Sequence, residues 1–470
     1  MRRGVAQLFA RQPLQWISGK TEGPALRRAL GWPSLAAIGL GTMLGGIFPT
    51  LGAGAHAAGP AVIAAYIASG LVCACVALCY AEFASMVPVA GSAYTYAYAT
   101  LGELVAWIIG WDLILEYGLS LAPTASSLSD YLQHGLAGSG IVLPAWAQTA
   151  HLGGAHWQVD VIAAVVTMLV AVLVAVGIRE SAGVNGVLVV VQILAMIVFV
   201  VAVAHAIKPA NLTPFAPMGY GGILSSTALV FFAYIGFDTV TVASEEAKHP
   251  QRDVPIGILL ALGVGGILYI ALAICTVGVI PYVRLSDGAA MLDALSAVNR
   301  NPAIYWIVAL GGVAGNATVM LTSLLGQVRI FYVMARDRML PPGVARVHPV
   351  FRTPARMTML TGSVVAILAA VLPLSDLLTL VNIGTLVAFA IVCGGVLVLR
   401  YTDANAIRPF RAPLLPLVAG GGGVACLYLI SGLQAATWIR YGAWLAVGIV
   451  IYAFYGYRRS RLREIPPSVV

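Results

Sequence analysis

Charge is the scarce commodity in this chain. Only 9% of its 470 residues are Asp, Glu, Lys or Arg, against about 25% in an ordinary soluble protein. Its own side chains therefore cannot solvate a surface of this size, which excludes a soluble multidomain enzyme. A disordered chain is excluded as well, because it would need the opposite composition. Cysteine is also scarce. All six (Cys73, Cys75, Cys79, Cys275, Cys393, Cys426) fall inside apolar stretches, with no His at metal-ligand spacing. They read as small packing residues, not as a disulfide framework or a metal site. The seven histidines sit at the ends of those stretches or in loops, and no low-complexity linker divides the chain.

What the chain has is apolar residues, 60% of the total, with a mean hydropathy of +0.92. Twelve runs long enough to cross a bilayer lie at about 34–57, 60–87, 102–132, 159–178, 183–206, 223–247, 254–280, 303–335, 357–373, 376–400, 413–435 and 441–457. The net charge is +8, and its distribution is one-sided. Of the 26 Lys and Arg residues, all except Lys208, Arg284, Arg300 and Arg440 fall on the side of the N-terminus. This is the asymmetry of the positive-inside rule. It predicts an all-α multi-pass protein of the cell inner (plasma) membrane with both termini cytoplasmic, its partner the lipid bilayer and not nucleic acid. The first 32 residues are basic and mostly polar, too long a lead for a cleavable signal peptide. Within them, Val5–Ile17 reads either as a short amphipathic interfacial piece or as a plain tail. The expected organisation is an N-terminal segment (1–32), a ten-helix core (33–400), two further helices (401–457) and a basic tail (458–470).

Two spans are interrupted. The first contains Gly39-Leu40-Gly41-Thr42-Met43-Leu44-Gly45-Gly46-Ile47-Phe48-Pro49, and the sixth Ala233-Tyr234-Ile235-Gly236-Phe237-Asp238. Each glycine costs a helix interior about 1 kcal/mol against alanine, so the cluster predicts local unwinding. Unwound backbone survives in hydrocarbon only where protein buries it or a cavity adjoins it. Interrupted spans at corresponding places in two halves point to a transporter site, and one and six imply five-plus-five inverted repeats. Close packing through the Gly41–Gly45 pair would explain the glycines but not the carboxylate of Asp238 beside the second break. A dinucleotide fingerprint is excluded: the G-x-G-x-x-G spacing and a preceding strand are both missing.

Ionisable groups inside spans are functional suspects by default. Glu82, near the inner end of span two, is suited to pairing with Arg. Asp112 and Glu116 share one face of span three, as a structural pair or with Glu116 lining a pocket or carrying a proton. Asp238 is placed to fix the half-helix, and Glu245 and Glu246 to form a gate or surface pair with Lys248 and Arg252. No nucleophile–base pair or metal cluster appears, so neither an enzyme nor a cofactor is expected.

Several blocks carry a resemblance. Tyr80-Ala81-Glu82-Phe83, Val89-Ala90-Gly91-Ser92-Ala93-Tyr94-Thr95-Tyr96 and the run Trp107 to Tyr117 resemble the cationic amino acid transporter family of the amino acid–polyamine–organocation superfamily. So do Phe231 to Asp238, Gly326-Gln327-Val328-Arg329-Ile330-Phe331, Val381-Asn382-Ile383-Gly384-Thr385 and Arg408-Pro409-Phe410-Arg411, in that order over about residues 8–460. The resemblance implies a twelve-helix transporter, with a five-plus-five repeat and two extra helices, that moves amino acids by alternating access. It implies that the amides of Gly45, Gly46 and Ile47 hold the substrate carboxylate and the carbonyls of Met43, Phe232 and Ile235 its ammonium. Thr42, Gly236 and Asp238 would hold the breaks, and Phe232 would close over the substrate. The family's first-span glycine motif is one residue longer than the one here. Proton-coupled bacterial members carry lysine where this chain has Gln192, and cationic members tend to a small hydroxyl at the place of Ser323. The reading that follows is an amino acid permease favouring cationic substrates. Its rivals are a proton-coupled symporter of small neutral amino acids such as alanine, using Glu116 or another acid, and, more distantly, a non-transporting sensor. Oligomeric state is not legible.

Overall fold

The computed structural model describes residues 8, 10–11, 30–86, 92–138, 140–148, 158–177, 181–242, 244, 247–298, 301–349, 351 and 353–461. Most of Val5–Ile17, together with Glu245 and Glu246, lies outside them. Among the described residues there is no strand, only one isolated bridge between Leu30 and Ala247. Eight helical stretches there are long and apolar enough to cross a membrane, and four shorter apolar helices (Trp32–Leu44, Val161–Val176, Ala355–Val371, Pro416–Ser431) accompany them. Trp32–Leu44 is continued by Ile47–Ala58 across Gly45-Gly46, and left-handed Gly59 (φ +65°) with Pro60 ends that span before Val62–Met86 begins. The chain thus makes twelve passes.

Local chemistry starts and stops these helices. Pro250 and Pro302 occupy first turns, where a missing N–H costs nothing. Asp160 caps span four by accepting from the Ala163 amide (2.9 Å), and Asn301 caps span eight through Ala303 (2.9 Å). Small residues let neighbours approach. A Cβ on Gly311 would lie 2.0 Å from Ala195 Cβ, and one on Gly362 2.2 Å from Ala171 Cβ, so spans eight and five, and nine and four, meet at these glycines.

The packing repeats itself. Span two (Val62–Met86) lies along span seven (Pro250–Val279), span three (Glu103–Leu119, Leu121–Gly138) along span eight (Pro302–Arg336), and span four along span nine. Span one packs on seven as six packs on two, and span five (Ser181–Val203) on eight as ten (Leu374–Thr402) on three. Exchanging spans one to five with spans six to ten, in order, maps these contacts onto one another, the mark of an inverted-repeat core. The last two spans cover its outside, against spans ten, two and three.

Glu82 is buried and anchors this core. It accepts from Arg400 (2.5 and 3.2 Å) and from the Ala412 amide (2.8 Å), with Arg408 Nε at 3.4 Å. Removing the acid takes the carboxylate from Arg400 and leaves Arg408 with only its bonds to the carbonyls of Leu399, Asp403, Ala404 and Ala406, and breaking a buried pair is destabilising. Glu82→Ala is therefore expected to lower the melting temperature in detergent while leaving the relative uptake of different amino acids unchanged. An unaltered melting curve would contradict this role.

Candidate functional site

The two interruptions differ in kind. In span one, Gly45 (φ −66°, ψ −23°) and Gly46 (φ −68°, ψ −16°) keep helical angles. The helix only tightens there, with Gly46 N–H donating to the Met43 carbonyl (2.9 Å) and Phe48 N–H to that of Gly45 (3.4 Å). This is milder than the unwinding the glycine cluster predicts: only the turn at Gly45-Gly46 separates the two helices. Span six does unwind. After Gly219–Val230 comes one 3-10 turn, Phe231–Tyr234, then extended Ile235 (ψ 136°) and Gly236 at φ +118°, before helix resumes at Thr239. Asn382 satisfies the carbonyls ahead of the break, donating to Ala228 (2.8 Å) and Leu229 (2.9 Å).

The breaks touch. A Cβ on Gly46 would fall 2.7 Å from Ala233 Cα and 3.1 Å from the carbonyl oxygens of Ala233 and Phe232. Gly236 meets Thr42 and the Met43 amide in the same way, and its positive φ excludes an L side chain. Across the gap, the Thr239 hydroxyl reaches the Gly236 carbonyl (2.6 Å) and Thr42 Oγ1 (3.3 Å). From behind, Tyr269 of span seven donates to Met43 O (2.6 Å) and Ala233 O (2.7 Å), one carbonyl from each break.

A tight cavity lies between the breaks and spans three and eight. About 20 Å³ of it is open to the centre of a water molecule, roughly one water's worth. Its wall brings together Thr42, Gly46, Glu116, Phe232, Ile235, Gly236 and Ser323, each singled out in the sequence. Met43, Gly45 and Ile47 adjoin this wall through the chain, and the Met43 carbonyl already accepts from Gly46 and Tyr269. Asp238 sits just behind it, accepting from Tyr117 (2.9 Å). Asp112 points elsewhere, bonded to Tyr441 of span twelve (2.9 Å). Gln192 also stands back, its amide donating to the Gly41 carbonyl (3.3 Å) one turn before the break.

Glu116 is the exception among the buried acids. It is 1% exposed and has no basic partner among the described residues; the only donor beside it is the Thr385 hydroxyl, whose one proton also serves the Val381 carbonyl (3.2 Å). Tyr117, Ser120, Thr239 and Val319 complete the wall and were not anticipated. Helical spacing could have found two of them, since Ser120 follows Glu116 by four residues and Val319 precedes Ser323 by four.

Residues 30–451 match the amino acid permease family. The chain belongs to that family. The permease is 40% identical to a methylthioribose transporter of Bacillus subtilis over 462 residues (98% of this chain, 100% of the relative). It is 41% identical to the branched-chain amino acid permease BcaP of the same organism over 465 residues (97% and 99%). It is 37% identical to the vacuolar cationic amino acid transporter 4 of Arabidopsis thaliana over 397 residues (83% and 66%). These relatives are carriers, and the permease is a multi-pass membrane transporter, not an enzyme.

The geometry offers complementary ends to an amino acid. Gly46, which precedes the half-helix Ile47–Ala58, puts the positive end of that helix dipole on the cavity wall. The carbonyl-bearing turn of span six lies opposite. Replacing Gly46 with Ala forces these backbones apart, an overpacking worth about 1–3 kcal/mol. The expected result is at least about tenfold weaker binding of labelled amino acid by a protein that still inserts; wild-type affinity would remove Gly46 from the site.

Proposed function

We propose that this permease moves amino acids across the plasma membrane by alternating access, with both termini cytoplasmic and cationic amino acids as preferred cargo. The amides of Gly45, Gly46 and Ile47 take the α-carboxylate, and the carbonyls of Met43, Phe232 and Ile235 take the α-ammonium. Thr42, Gly236 and Asp238 hold the breaks in shape, and Phe232 closes the cavity.

One observation carries the choice of cargo. The Glu116 carboxylate lies in the cavity wall with no cation beside it and only the shared Thr385 hydroxyl as a donor, an expensive state for a group in the membrane interior. A cationic side chain would supply the missing partner, and Ser323 on the facing span lines the same wall. Gln192 cannot titrate, so the membrane potential drives entry without a proton. One charge across 100 mV is worth about 2.3 kcal/mol, nearly fifty-fold accumulation.

A second reading has its own support. Both Bacillus relatives align almost end to end and are named for branched-chain amino acids and methylthioribose, and Val319, Ile235 and Phe232 give the cavity an apolar wall. There Glu116 would be protonated and would couple an uncharged cargo to protons.

Proteoliposomes separate the two. At equal pH, a valinomycin-imposed negative-inside potential is expected to drive arginine or lysine uptake. Glu116→Gln is expected to weaken their binding more than that of alanine or leucine, because it removes a desolvated charge partner from one class alone. Leucine or alanine uptake that needs an inward proton gradient, with arginine unrecognised, would overturn the first reading and establish the second.

A further inference from the structure

Where spans eight and twelve end, far from the breaks in sequence, a second cavity of about 550 Å³ opens. Four of its nine lining residues are Arg336, Arg338, Arg458 and Arg459. Two of these guanidiniums are stationed over aromatic rings, Arg458 at 6.0 Å from the Phe454 centroid and Arg459 at 5.5 Å from that of Tyr455. The backbone departs from regularity on both sides: Arg338 holds φ +60°, and span twelve makes a π-helical turn at Tyr452–Gly456. Two acids lie nearby. Asp337 is buried, accepts from Tyr94 (3.2 Å) and has Arg336 Nε at 4.0 Å; Glu103 accepts from Tyr452 (2.9 Å) and Ser460 (2.5 Å). Counted over the described residues, four arginines against these two acids leave a positive balance.

Leu340 lines this basic cavity and also a third one, an apolar cleft of about 330 Å³ on the flank of the bundle. Spans three, eight, nine and twelve supply its walls, through Trp111, Phe331, Leu360, Val364 and Trp444 among others. Leu360 and Val364 are 56% and 50% exposed, so the cleft opens outward to the hydrocarbon. A cluster of guanidiniums next to an apolar cleft, with Leu340 in the wall of both, matches a single amphiphile of negative charge. Arginine forks pair with phosphate oxygens two at a time, and basic pockets beside membrane spans suit anionic headgroups.

We infer that the Arg336/Arg338/Arg458/Arg459 cavity and the adjoining cleft form one binding site for an anionic phospholipid, phosphate among the arginines and acyl chain along Leu340 into the cleft. The lipid bridges the ends of spans eight and twelve, and the site stands whichever cargo the permease carries.

The test uses delipidated full-length permease in detergent, read by native mass spectrometry and thermal melting. Phosphatidylglycerol is expected to remain bound and to raise the melting temperature, while phosphatidylcholine and millimolar inorganic phosphate do neither. Arg336→Gln combined with Arg459→Gln is expected to weaken phosphatidylglycerol retention about tenfold. Leu360→Trp, which narrows the cleft without touching the arginines, is expected to weaken it too and gives an independent test if the double variant is unstable. Equal retention of the two lipids, an equal effect of inorganic phosphate, or a second copy of the chain covering the cleft in place of lipid would each overturn the site.

Discussion

A backbone polar group inside hydrocarbon must find a partner within the protein, and every other feature of this permease is arranged around that demand at two places. Breaking spans one and six frees amides and carbonyls where no water can reach them. The chain answers by pressing the breaks together. Gly46 lies against Ala233 with no space for a Cβ, and Tyr269 bridges Met43 O and Ala233 O from behind. A hydroxyl has one proton for those two carbonyls, and Met43 O also accepts the Gly46 N–H (2.9 Å). Tyr269 is itself held in a cluster, with ring centroids 5.2 Å from Tyr234 and 5.7 Å from Tyr66. Tyr66 in turn bonds Thr50 (2.8 Å), and Tyr234 bonds the Tyr66 carbonyl (2.8 Å). Spans one, two, six and seven are thereby tied into one unit behind the cavity, while spans three and eight face it from the other side.

The buried acids show how environment, not residue type, assigns the work. Glu82 sits between two arginines, Asp112 and Asp238 each accept from a tyrosine, and Glu103 takes two hydroxyls. Such partnered groups hold helices in register. Glu116, one helical turn from Asp112, has only the shared Thr385 hydroxyl beside it and opens on the cavity. A group left costly by the fold is the one to examine for function.

Much of this was legible in the sequence because hydropathy and glycine report directly on membrane burial and backbone approach. Hydropathy located the twelve passes, most of their ends to within about four residues; clustered glycines marked the first break, and a single Gly beside Asp238 the second. Seven residues singled out on those grounds or by resemblance line one cavity. The severity of the first break was not legible: a glycine run states what the backbone can adopt, and only the contact with Ala233 decides what it does adopt. Tyr269 was invisible because span seven carries no break or charge of its own, and its partners lie about 35 and 225 positions away. Glu82 announced a need for a cation, but Arg400 and Arg408 reach it only through the tenth span's return. Cargo is the least legible of all, since in the proposed site backbone groups read the part that every amino acid shares.

Occupation of the space between the breaks by an amino acid is tested most directly at Ser323, which lines the cavity but is bonded to neither break. With half-buried Cys75 replaced by alanine and Ser323 by cysteine, the thiol should react with a small membrane-permeant maleimide. Saturating amounts of the transported amino acid should slow that reaction several-fold, and a D-enantiomer that is not transported should leave it unchanged. Identical rates with and without the transported amino acid would mean that the cargo binds elsewhere.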